Sequence, residues 1–354
     1  MKICYFGIYD PLYCRNQNLL SGLRQNGVEI IEVNDNTPSL IKYWRLIKKH
    51  WAVRNQYDLL LVGFCGQIVM PLAKLLSRRK IVFDAYISLH DAKIFQQSPR
   101  PNFFKAGYYY FLDWLSCRLA DVILLDTKEH VEYFAKTFQL KPQKFLVVYG
   151  GVDDRIFSPC LSPAEKKKFI VEFHAYATLL HGLKYILLAM KELQDKGESV
   201  ELWCVGAGLE YDRQKQFAQI ELKLDNVKFM SPLPPERLRQ EVICGADAGL
   251  GIFGETDKVD RVIPNKLYEL MACKIPVVSA DTPAVREQFA DHKHLLLCPK
   301  ADPRVLAQAI LELKNNSQLR KSLAENAYQK IKTDLNPKVI AQKLLADLAK
   351  LKTI

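Results

Sequence analysis

The stretch Gly249–Glu287 reads GLGIFGETDKVDRVIPNKLYELMACKIPVVSADTPAVRE, and it decides the fold of this 354-residue chain. An apolar run ends at Phe253, a polar loop follows, helical spacing begins near Asn265, and a second apolar run covers Ile275–Ala280. This order predicts two parallel strands joined by a crossover helix. Ligands of such sheets bind outside the carboxyl ends of the strands, so the loop after Phe253 is the expected site.

The same alternation of strand-like and helix-like segments continues along the whole chain. Examples of helical spacing are Asn16–Asn26, Leu183–Lys196, Pro235–Cys244 and Lys266–Cys273. Strands that alternate with helices predict parallel sheets covered on both faces, and two sets of six predict two doubly wound, Rossmann-like α/β domains. A β/α barrel is the alternative, but it needs eight evenly spaced units. The predicted strands are Lys2–Gly7, Glu29–Val33, Leu59–Gly63, Ile81–Tyr86, Val122–Asp126, Leu146–Gly150, Phe169–Ala175, Val200–Gly206, Val227–Ser231, Ala248–Phe253, Ile275–Ala280 and His294–Pro299.

A break in this rhythm marks the expected domain boundary. The segment Phe157–Lys168, FSPCLSPAEKKK, has two prolines and a run of charges, which is typical of a linker. We therefore expect one domain over residues 1–158 and a second over 159–335, facing each other across a cleft that holds the site. Residues 336–354 predict an amphipathic helix that packs back on the first domain.

Composition limits the class of protein without identifying it. Hydrophobic residues make up 49% and charged residues 25%, the profile of a soluble globular protein. The nine cysteines are scattered and form no CxxC pair, which argues against disulfides or a zinc site and favours a cytoplasmic location. The net charge of +11 fits nucleic acid, an anionic membrane or a phosphorylated substrate and does not choose among them.

Three side chains around the predicted helix at Asn265 suit a diphosphate and a ribose. A helix N-terminus offers free N–H groups and the positive end of its dipole to an anion. Arg261 and Lys266 add positive charge there, and Glu269, one turn later, can accept hydrogen bonds from a ribose diol. The alternative is a surface ion-pair cluster. As a set at the end of a strand, these residues favour a binding site.

At this point the sequence resembles the family 4 retaining glycosyltransferases, which have the GT-B fold. The motifs that carry the resemblance are VIPNKLYELMACKIPVVSADTPAVRE, VVYGGVDDRIFSP, FHAYATLLHGLKYILLAM and ELWCVGAG. The resemblance implies sugar transfer from a nucleoside-diphosphate donor to a glycan or lipid-linked acceptor, with retention of configuration. It implies no obligatory metal or other cofactor, because cations and helix dipoles neutralise the leaving diphosphate. The implied donor residues are Arg261, Asn265, Lys266, Glu269, His181, Gly206 and Gly254.

The chain departs from the family pattern at three positions, and two of them are among these donor residues. The family has two glutamates with seven residues between them, and the second matches Glu269 whereas the first is replaced by Arg261. The family also has an arginine and a lysine where this chain has Tyr176 and His181. A variant subgroup with a PNK motif fits better, and Arg261 and Lys266 would then supply the missing charge.

The first domain is expected to hold the acceptor. The loop after the opening strand contains Asp10 and leads to Arg15 and Asn16 at a helix start, a second anion or hydroxyl site. Arg15 as a plain surface residue is an equal alternative. The segment FDAYISLHD offers Asp84 and His90 as candidate catalytic residues near the transferred sugar, since the family places a polar residue there.

Two segments of the first domain combine aromatic residues with cations. These are 41–57, IKYWRLIKKHWAVRNQY, and 101–115, PNFFKAGYYYFLDWL. Their composition suits peripheral contact with an anionic membrane, with ordinary core packing as the alternative. No nucleic-acid module is recognised. Two other functions stay open, a nucleotide-sugar epimerase and a non-catalytic binding protein of the same fold.

Overall fold

The computed structural model of the chain describes residues 1–95, 101–160 and 167–351. The chain forms two compact units. The first contains Met1–Ile94, Pro101–Asp153 and the chain from Asp334 onward, and the second consists mainly of Asp154–Thr333. Positions 161–166 of the predicted linker and 352–354 of the predicted final helix lie outside the described residues.

Twelve strands occur within the described residues, each overlapping a predicted one. Short, mostly apolar runs form them, as expected for strands of a parallel sheet that is covered on both faces. They are β1 Lys2–Gly7, β2 Glu29–Asn34, β3 Leu59–Val62, β4 Ile81–Tyr86, β5 Val122–Leu125, β6 Phe145–Val147, β7 Phe169–Tyr176, β8 Val200–Ala207, β9 Val227–Met230, β10 Ala248–Leu250, β11 Val277–Ala280 and β12 Leu296–Cys298.

Helices connect the strands. They are α1 Cys14–Gln25, α2 Ile41–Val53, α3 Met70–Leu76, α4 Leu89–Phe95, α5 Phe103–Leu119, α6 Lys128–Phe138, α7 Leu183–Asp195, α8 Leu209–Gln216, α9 Pro235–Arg237, α10 Asn265–Ala272, α11 Pro283–Arg286, α12 Pro303–Asn315, α13 Ser317–Asp334 and α14 Pro337–Lys350. Within residues 1–95, 101–160 and 167–351, no helix is both long enough and apolar enough to cross a membrane.

Each unit contains one six-stranded parallel sheet. The order in the first unit is β2-β1-β3-β4-β5-β6, and in the second it is β12-β11-β10-β7-β8-β9. Within each sheet, every pair of neighbouring strands is parallel. The order reverses beside β1 in one sheet and beside β7 in the other, which makes both sheets doubly wound. The predicted fold class is confirmed.

The last helix, α14, belongs to the first unit. It packs on α1 so closely that a Cβ atom at Gly22 would lie 2.0 Å from the carbonyl oxygen of Pro337. Ile340, Ala341, Leu344 and Leu348 are buried in this contact and in the core beside it. Only glycine permits this approach, so Gly22 is fixed by packing rather than by its own backbone conformation.

Two expectations about the second unit require correction. The helix predicted over Pro235–Cys244 is broken, because the three-residue α9 passes into a π-helical turn and then a 3-10 turn. The prediction of no disulfide is wrong, since Cys160 is bonded to Cys244. The two cysteines are 84 positions apart in sequence, and folding brings their Cα atoms within 5.3 Å. No local spacing announces such a pair.

Candidate functional site

The carboxyl edge of the second sheet carries the predicted donor residues. The helix α10 begins at Asn265, directly after Pro264, whose extended backbone ends the preceding loop. Lys266 and Glu269 are three residues apart on this helix and therefore share one side. Both side chains reach β7: Lys266 Nζ lies 3.8 Å from the ring centre of Phe173, and Glu269 contacts His174. The structure brings these two predicted residues together.

His174, which sequence reasoning missed, links two carboxylates. Its Nε2 lies 2.8 Å from Glu269 Oε2, and its Nδ1 lies 3.0 Å from Glu172 Oε2. Burial by itself would lower the pKa of His174, but the two glutamates raise it to about 9. At neutral pH the imidazole is therefore protonated and donates from both nitrogens. It fixes one oxygen of Glu269 and leaves the other oxygen for a ligand.

The ammonium group of Lys266 is buried with unmet hydrogen-bonding capacity. The residue is 5% exposed, and Nζ has no hydrogen-bond partner among the described residues. Burial lowers its pKa to about 7, although Glu172 and Glu269 oppose the shift. An anionic ligand beside Nζ would favour the charged form, because opposite charge raises the pKa of an amine.

His181 stands beside this cation as a neutral group. Its Nδ1 accepts a hydrogen bond from the N–H of Thr178 at 3.1 Å, which assigns the proton to Nε2. Burial, followed by the charge of Lys266, keeps the pKa of His181 well below its usual value. The structure thus places a neutral N–H donor where the family pattern has a lysine.

Two glycines allow the loops around this site to touch. Gly182 has φ +64°, and a Cβ atom there would lie 2.4 Å from the carbonyl carbon of Phe253. A Cβ atom at the predicted donor residue Gly254 would lie 2.4 Å from the carbonyl oxygen of Leu179. The N–H groups of Phe253 and Gly254 donate to the carbonyl oxygens of His181 and Leu180. Larger residues at either glycine would separate the two loops.

The end of β8 supplies a third loop. A Cβ atom at Gly206 would lie 2.5 Å from the carbonyl oxygen of Ala175, so the ends of β7 and β8 are in direct contact. Tyr176, the last residue of β7, is 74% exposed. A cavity of about 600 Å³ opens between the start of α7 and the α8 region, and Tyr185, Arg213 and Glu255 contribute to its walls.

Arg261 lies at the end of a short 3-10 turn, Asp257–Arg261, four residues before α10. It is partly buried, and so is Asn265 at the first position of α10. Arg261 therefore belongs to the loop that enters α10, and Asn265 is the first residue of that helix.

In the first unit, the predicted residues Arg15 and Asp84 form a buried ion pair. Arg15 is 5% exposed and Asp84 is fully buried, with Arg15 Nη2 2.8 Å from Asp84 Oδ1. The remaining guanidinium nitrogens donate to Asp84 and to the carbonyl oxygens of Val148 and Tyr149. Asp84 was predicted to lie near the transferred sugar, and Arg15 to be either a ligand-binding residue or a plain surface residue. Arg15 is instead buried, and it joins α1 to β4 and to the chain after β6.

Asn16 is also engaged within the fold. Its Oδ1 accepts from the hydroxyl of Tyr5 at 2.8 Å, and its Nδ2 donates to the carbonyl oxygens of Asp10 and Phe64. Asp10 itself is exposed, and its carboxylate accepts only from the N–H of Leu12 among the described contacts. Asp10 is therefore the predicted acceptor-side residue that remains open to solvent.

His90, the second predicted catalytic residue, is partly buried at the start of α4. Its backbone N–H donates to Asp113 at 2.9 Å, and Nδ1 lies 3.4 Å from the hydroxyl of Tyr133. Burial lowers the pKa of His90, so its imidazole is neutral at pH 7. Asp113 also accepts from Ser88 and the N–H of Leu89, and thereby holds the position of this turn.

A second buried polar cluster in the first unit was missed by sequence reasoning. His130 hydrogen-bonds Asp126 through Nδ1, and its Nε2 lies 3.8 Å from Asp91 Oδ2. All three residues are nearly inaccessible. Asp126 follows β5 directly, and an acidic residue at a strand end four positions before a histidine was the available signal. Within the described part of the chain, no group of three or more His, Cys, Asp and Glu residues is arranged to hold a metal ion.

Residues 161–330 match the family model of the group 1 glycosyl transferases. A curated relative is the putative colanic acid biosynthesis glycosyltransferase WcaL of Escherichia coli, 26% identical over 205 residues, which cover 57% of this chain and 50% of WcaL. The chain spans about half the length of the curated relatives it matches.

Solved glycosyltransferase structures resemble the chain over almost its full length. HepE of Anabaena, solved in complex with UDP, matches with a TM-score of 0.72 at 16% identity, covering 99% of this chain and 100% of HepE. Sucrose-phosphate synthase from Thermosynechococcus elongatus matches with a TM-score of 0.76 at 13% identity, covering 99% of each chain. At such identities the likeness shows the fold, and that fold is GT-B.

Proposed function

We propose that this chain transfers a sugar from a nucleoside-diphosphate donor to a glycan or lipid-linked acceptor, with retention of configuration. The observation that carries the proposal is the pairing of Lys266 and Glu269 on α10. One offers a buried ammonium group without a partner, and the other a carboxylate with one oxygen already fixed by His174. The family match over residues 161–330 supports the reaction class.

Each of these groups has a role that its chemistry defines. The free oxygen of Glu269 accepts hydrogen bonds from the ribose diol, and charge-assisted bonds of this type contribute about 1.5–3 kcal/mol each. Lys266 neutralises the diphosphate as it leaves. His181 donates a hydrogen bond from its Nε2–H group to the same phosphates. The N-terminus of α7, the positive end of the helix dipole, follows His181 in the chain. These groups replace a metal ion in stabilising the leaving group.

The proposed reaction proceeds on one face of the sugar. The bond between the anomeric carbon and the diphosphate oxygen breaks, and the acceptor oxygen attacks the anomeric carbon from the same side. The proton of the acceptor hydroxyl passes to the departing diphosphate oxygen. His90 and Asp10 are the proposed acceptor-side residues, since the charges of Arg15 and Asp84 are already paired with each other.

Calorimetric titration with UDP, GDP and ADP tests the donor half of this proposal. Saturable binding of one nucleotide is expected, and Glu269→Ala should weaken it at least about 100-fold, the loss of two charge-assisted hydrogen bonds. Glu236→Gln, an exposed acidic position in the same unit, is the matched control and should bind normally. Equal affinities of the wild type and Glu269→Ala would overturn the ribose assignment.

Turnover tests the acceptor half. Nucleotide sugars that contain the bound nucleotide are incubated with the protein and a panel of glycans and lipid-linked sugars. Nuclear magnetic resonance then determines the anomeric configuration of the product. An inverted product would contradict retention. A converted donor sugar formed without any acceptor would identify an epimerase.

A non-catalytic binding protein is the second candidate function. The observation that favours it is the weak positive charge of the site, because His181 is neutral and the pKa of Lys266 is only about 7. Nucleotide binding without any sugar transfer or donor hydrolysis over the whole acceptor panel would support this candidate.

A further inference from the structure

We propose that one face of the first unit docks on an anionic lipid bilayer. We call it the α2–α3–α5 face, because α3 packs against both α2 and α5. Its outer surface carries large apolar side chains that water covers poorly: Trp44, Trp51, Leu75, Phe103, Phe104 and Phe111. Large apolar side chains grouped on neighbouring helices of a soluble surface are typical of an interaction site.

Helix α2 turns its largest apolar side chains away from the core. Trp44 and Trp51 are both 63% exposed, whereas Leu46 and His50 on the opposite side of the helix are buried. The tryptophans are seven residues apart, two helical turns, and therefore share one side. Core packing explains Leu46 and His50 but leaves the two tryptophans without a structural reason within the first unit.

The start of α5 and the end of α3 also carry exposed apolar side chains. Phe103 is 85% exposed and Phe104 is 83% exposed. Leu75 on α3 is 82% exposed. The three helices thus present aromatic and aliphatic groups together, which is the composition of segments that insert into the boundary between headgroups and acyl chains.

The charge around these groups has one sign. The stretches 40–57, 66–80 and 101–112 contain ten lysines and arginines and no aspartate or glutamate. The nearest ion-pair partners come from outside these stretches, with Asp35 contacting Lys49 and Arg45, and Asp121 contacting Lys80. The remaining cations are available to lipid phosphates. Lysines and arginines near an anionic leaflet each strengthen attachment.

Cations also lie against the two exposed tryptophans. Arg54 is 3.5 Å from the ring centre of Trp51, and Lys48 Nζ is 5.7 Å from that of Trp44. At a bilayer surface, a tryptophan ring lies at the level of the headgroups. A cation beside the ring then reaches the phosphates of the same headgroups, so each pair fits both parts of the interface.

A bilayer fits this face better than other anionic or apolar partners do. A second copy docked face to face would oppose cations to cations without any acidic residue between them. Nucleic acid would satisfy the charges and stack on aromatic rings, but it has no use for aliphatic side chains such as Leu75. Only an anionic lipid surface satisfies both the charge and the aliphatic groups.

Vesicle co-sedimentation of the full chain, without donor or acceptor, tests the proposal independently of the transfer reaction. Binding is expected to vesicles of phosphatidylcholine with about 30% phosphatidylglycerol and not to phosphatidylcholine alone. Binding should fall in 0.5 M salt, where surface charges are screened over a few ångströms. Failure to bind anionic vesicles would overturn the docking proposal and leave donor binding untouched.

Matched variants locate the contact. Lys48→Glu with Arg54→Glu should weaken vesicle binding at least about 30-fold, since each cation contributes about fivefold. Trp44→Ser with Trp51→Ser should weaken it at least about tenfold. Arg304→Glu with Lys321→Glu makes the same charge change at exposed positions of the second unit and should bind normally. All six sites are exposed, and an unchanged melting temperature checks the folding of each variant.

Two outcomes overturn the proposal at this stage. One is an equal loss of binding in the second-unit control, which would show that total charge alone drives attachment. The other is preferred binding of a single-stranded oligonucleotide over anionic vesicles, with the Trp44 and Trp51 changes affecting only the oligonucleotide.

Discussion

The carboxyl edges of the two sheets each carry a buried cation, and the two cations differ in their hydrogen bonding. In the first unit, the guanidinium of Arg15 is fully occupied by Asp84 and backbone carbonyl groups. In the second unit, the ammonium of Lys266 is equally inaccessible but has no hydrogen-bond partner within the described chain. The same fold therefore uses one buried cation to hold its own segments and keeps another unsatisfied. Unmet hydrogen-bonding capacity, rather than burial, distinguishes the proposed donor site from the Arg15 ion pair.

The largest expected effect is a loss of stability when Arg15, the cation paired with Asp84, is replaced. Arg15→Met leaves the carboxylate of Asp84 buried without compensation and should lower the free energy of unfolding by about 3–5 kcal/mol. Urea unfolding followed by tryptophan fluorescence measures it, because Trp44, Trp51 and Trp114 all lie in the first unit. The double change of Arg15→Met with Asp84→Leu is the control and should recover most of the loss. A single variant as stable as the wild type would contradict the structural role.

Replacing Lys266, the buried cation of the second unit, should have a small effect on stability and a large effect on nucleotide affinity. Lys266→Met is expected to alter the free energy of unfolding by less than about 1 kcal/mol, because the cost of burying the ammonium offsets its attraction to Glu172 and Glu269. Nucleoside-diphosphate affinity should fall about 30- to 100-fold. Calorimetry with the bound nucleotide measures this, with Lys321→Met as the exposed control. Lost stability with intact affinity would make Lys266 the counterpart of Arg15.

His174 should contribute stability only while it is protonated. Its pKa is raised to about 9 in the folded chain from an ordinary value near 6.5. The gain is therefore complete below about pH 6.5 and is lost as the pH rises through 9. The wild type should exceed His174→Gln in free energy of unfolding by about 3 kcal/mol at pH 6 and by nearly nothing at pH 10. Paired denaturation curves at the two pH values give the difference, and a constant difference would contradict the prediction.

The smallest effect concerns the pH dependence of donor binding. Since the pKa of Lys266 is about 7, the charged fraction falls above that pH in the free protein. Nucleotide affinity should then weaken by up to about tenfold per pH unit above 7. Lys266→Arg keeps its charge and should show a flatter profile in the same titrations. Identical profiles for the two proteins would mean that another group governs the pH dependence.

The sequence was sufficient for the fold because each strand is a local pattern. All twelve predicted strands overlap the observed ones, and the glycines and prolines that bound them are visible in a short window. The disulfide and the broken helix after Pro235 were not predictable in this way. Cys160 meets Cys244 only after folding, and the π-helical turn at Leu238–Val242 interrupts a stretch whose local spacing is helical.

The site was predictable only where one helix carries it. Lys266 and Glu269 are three residues apart, so their common side follows from helical geometry. His174 joins Glu269 from a strand 95 positions away, and that contact has no local signature. A partial signal existed in β7, because Glu172 and His174 share one side of a strand predicted to be buried. In the first unit, spacing could not reveal that Arg15 and Asp84 would pair with each other.

The return of α14 to the first unit constrains the order in which the chain can fold during synthesis. The α1 surface that α14 covers stays bare until residues from Asp334 onward leave the ribosome, after the whole second unit has been made. The second unit can then complete its sheet while the first still exposes Leu19, Leu20 and Leu23. A nascent chain stalled before Pro337 would therefore be a ready target for chaperones, and its N-terminal unit would be the part they hold.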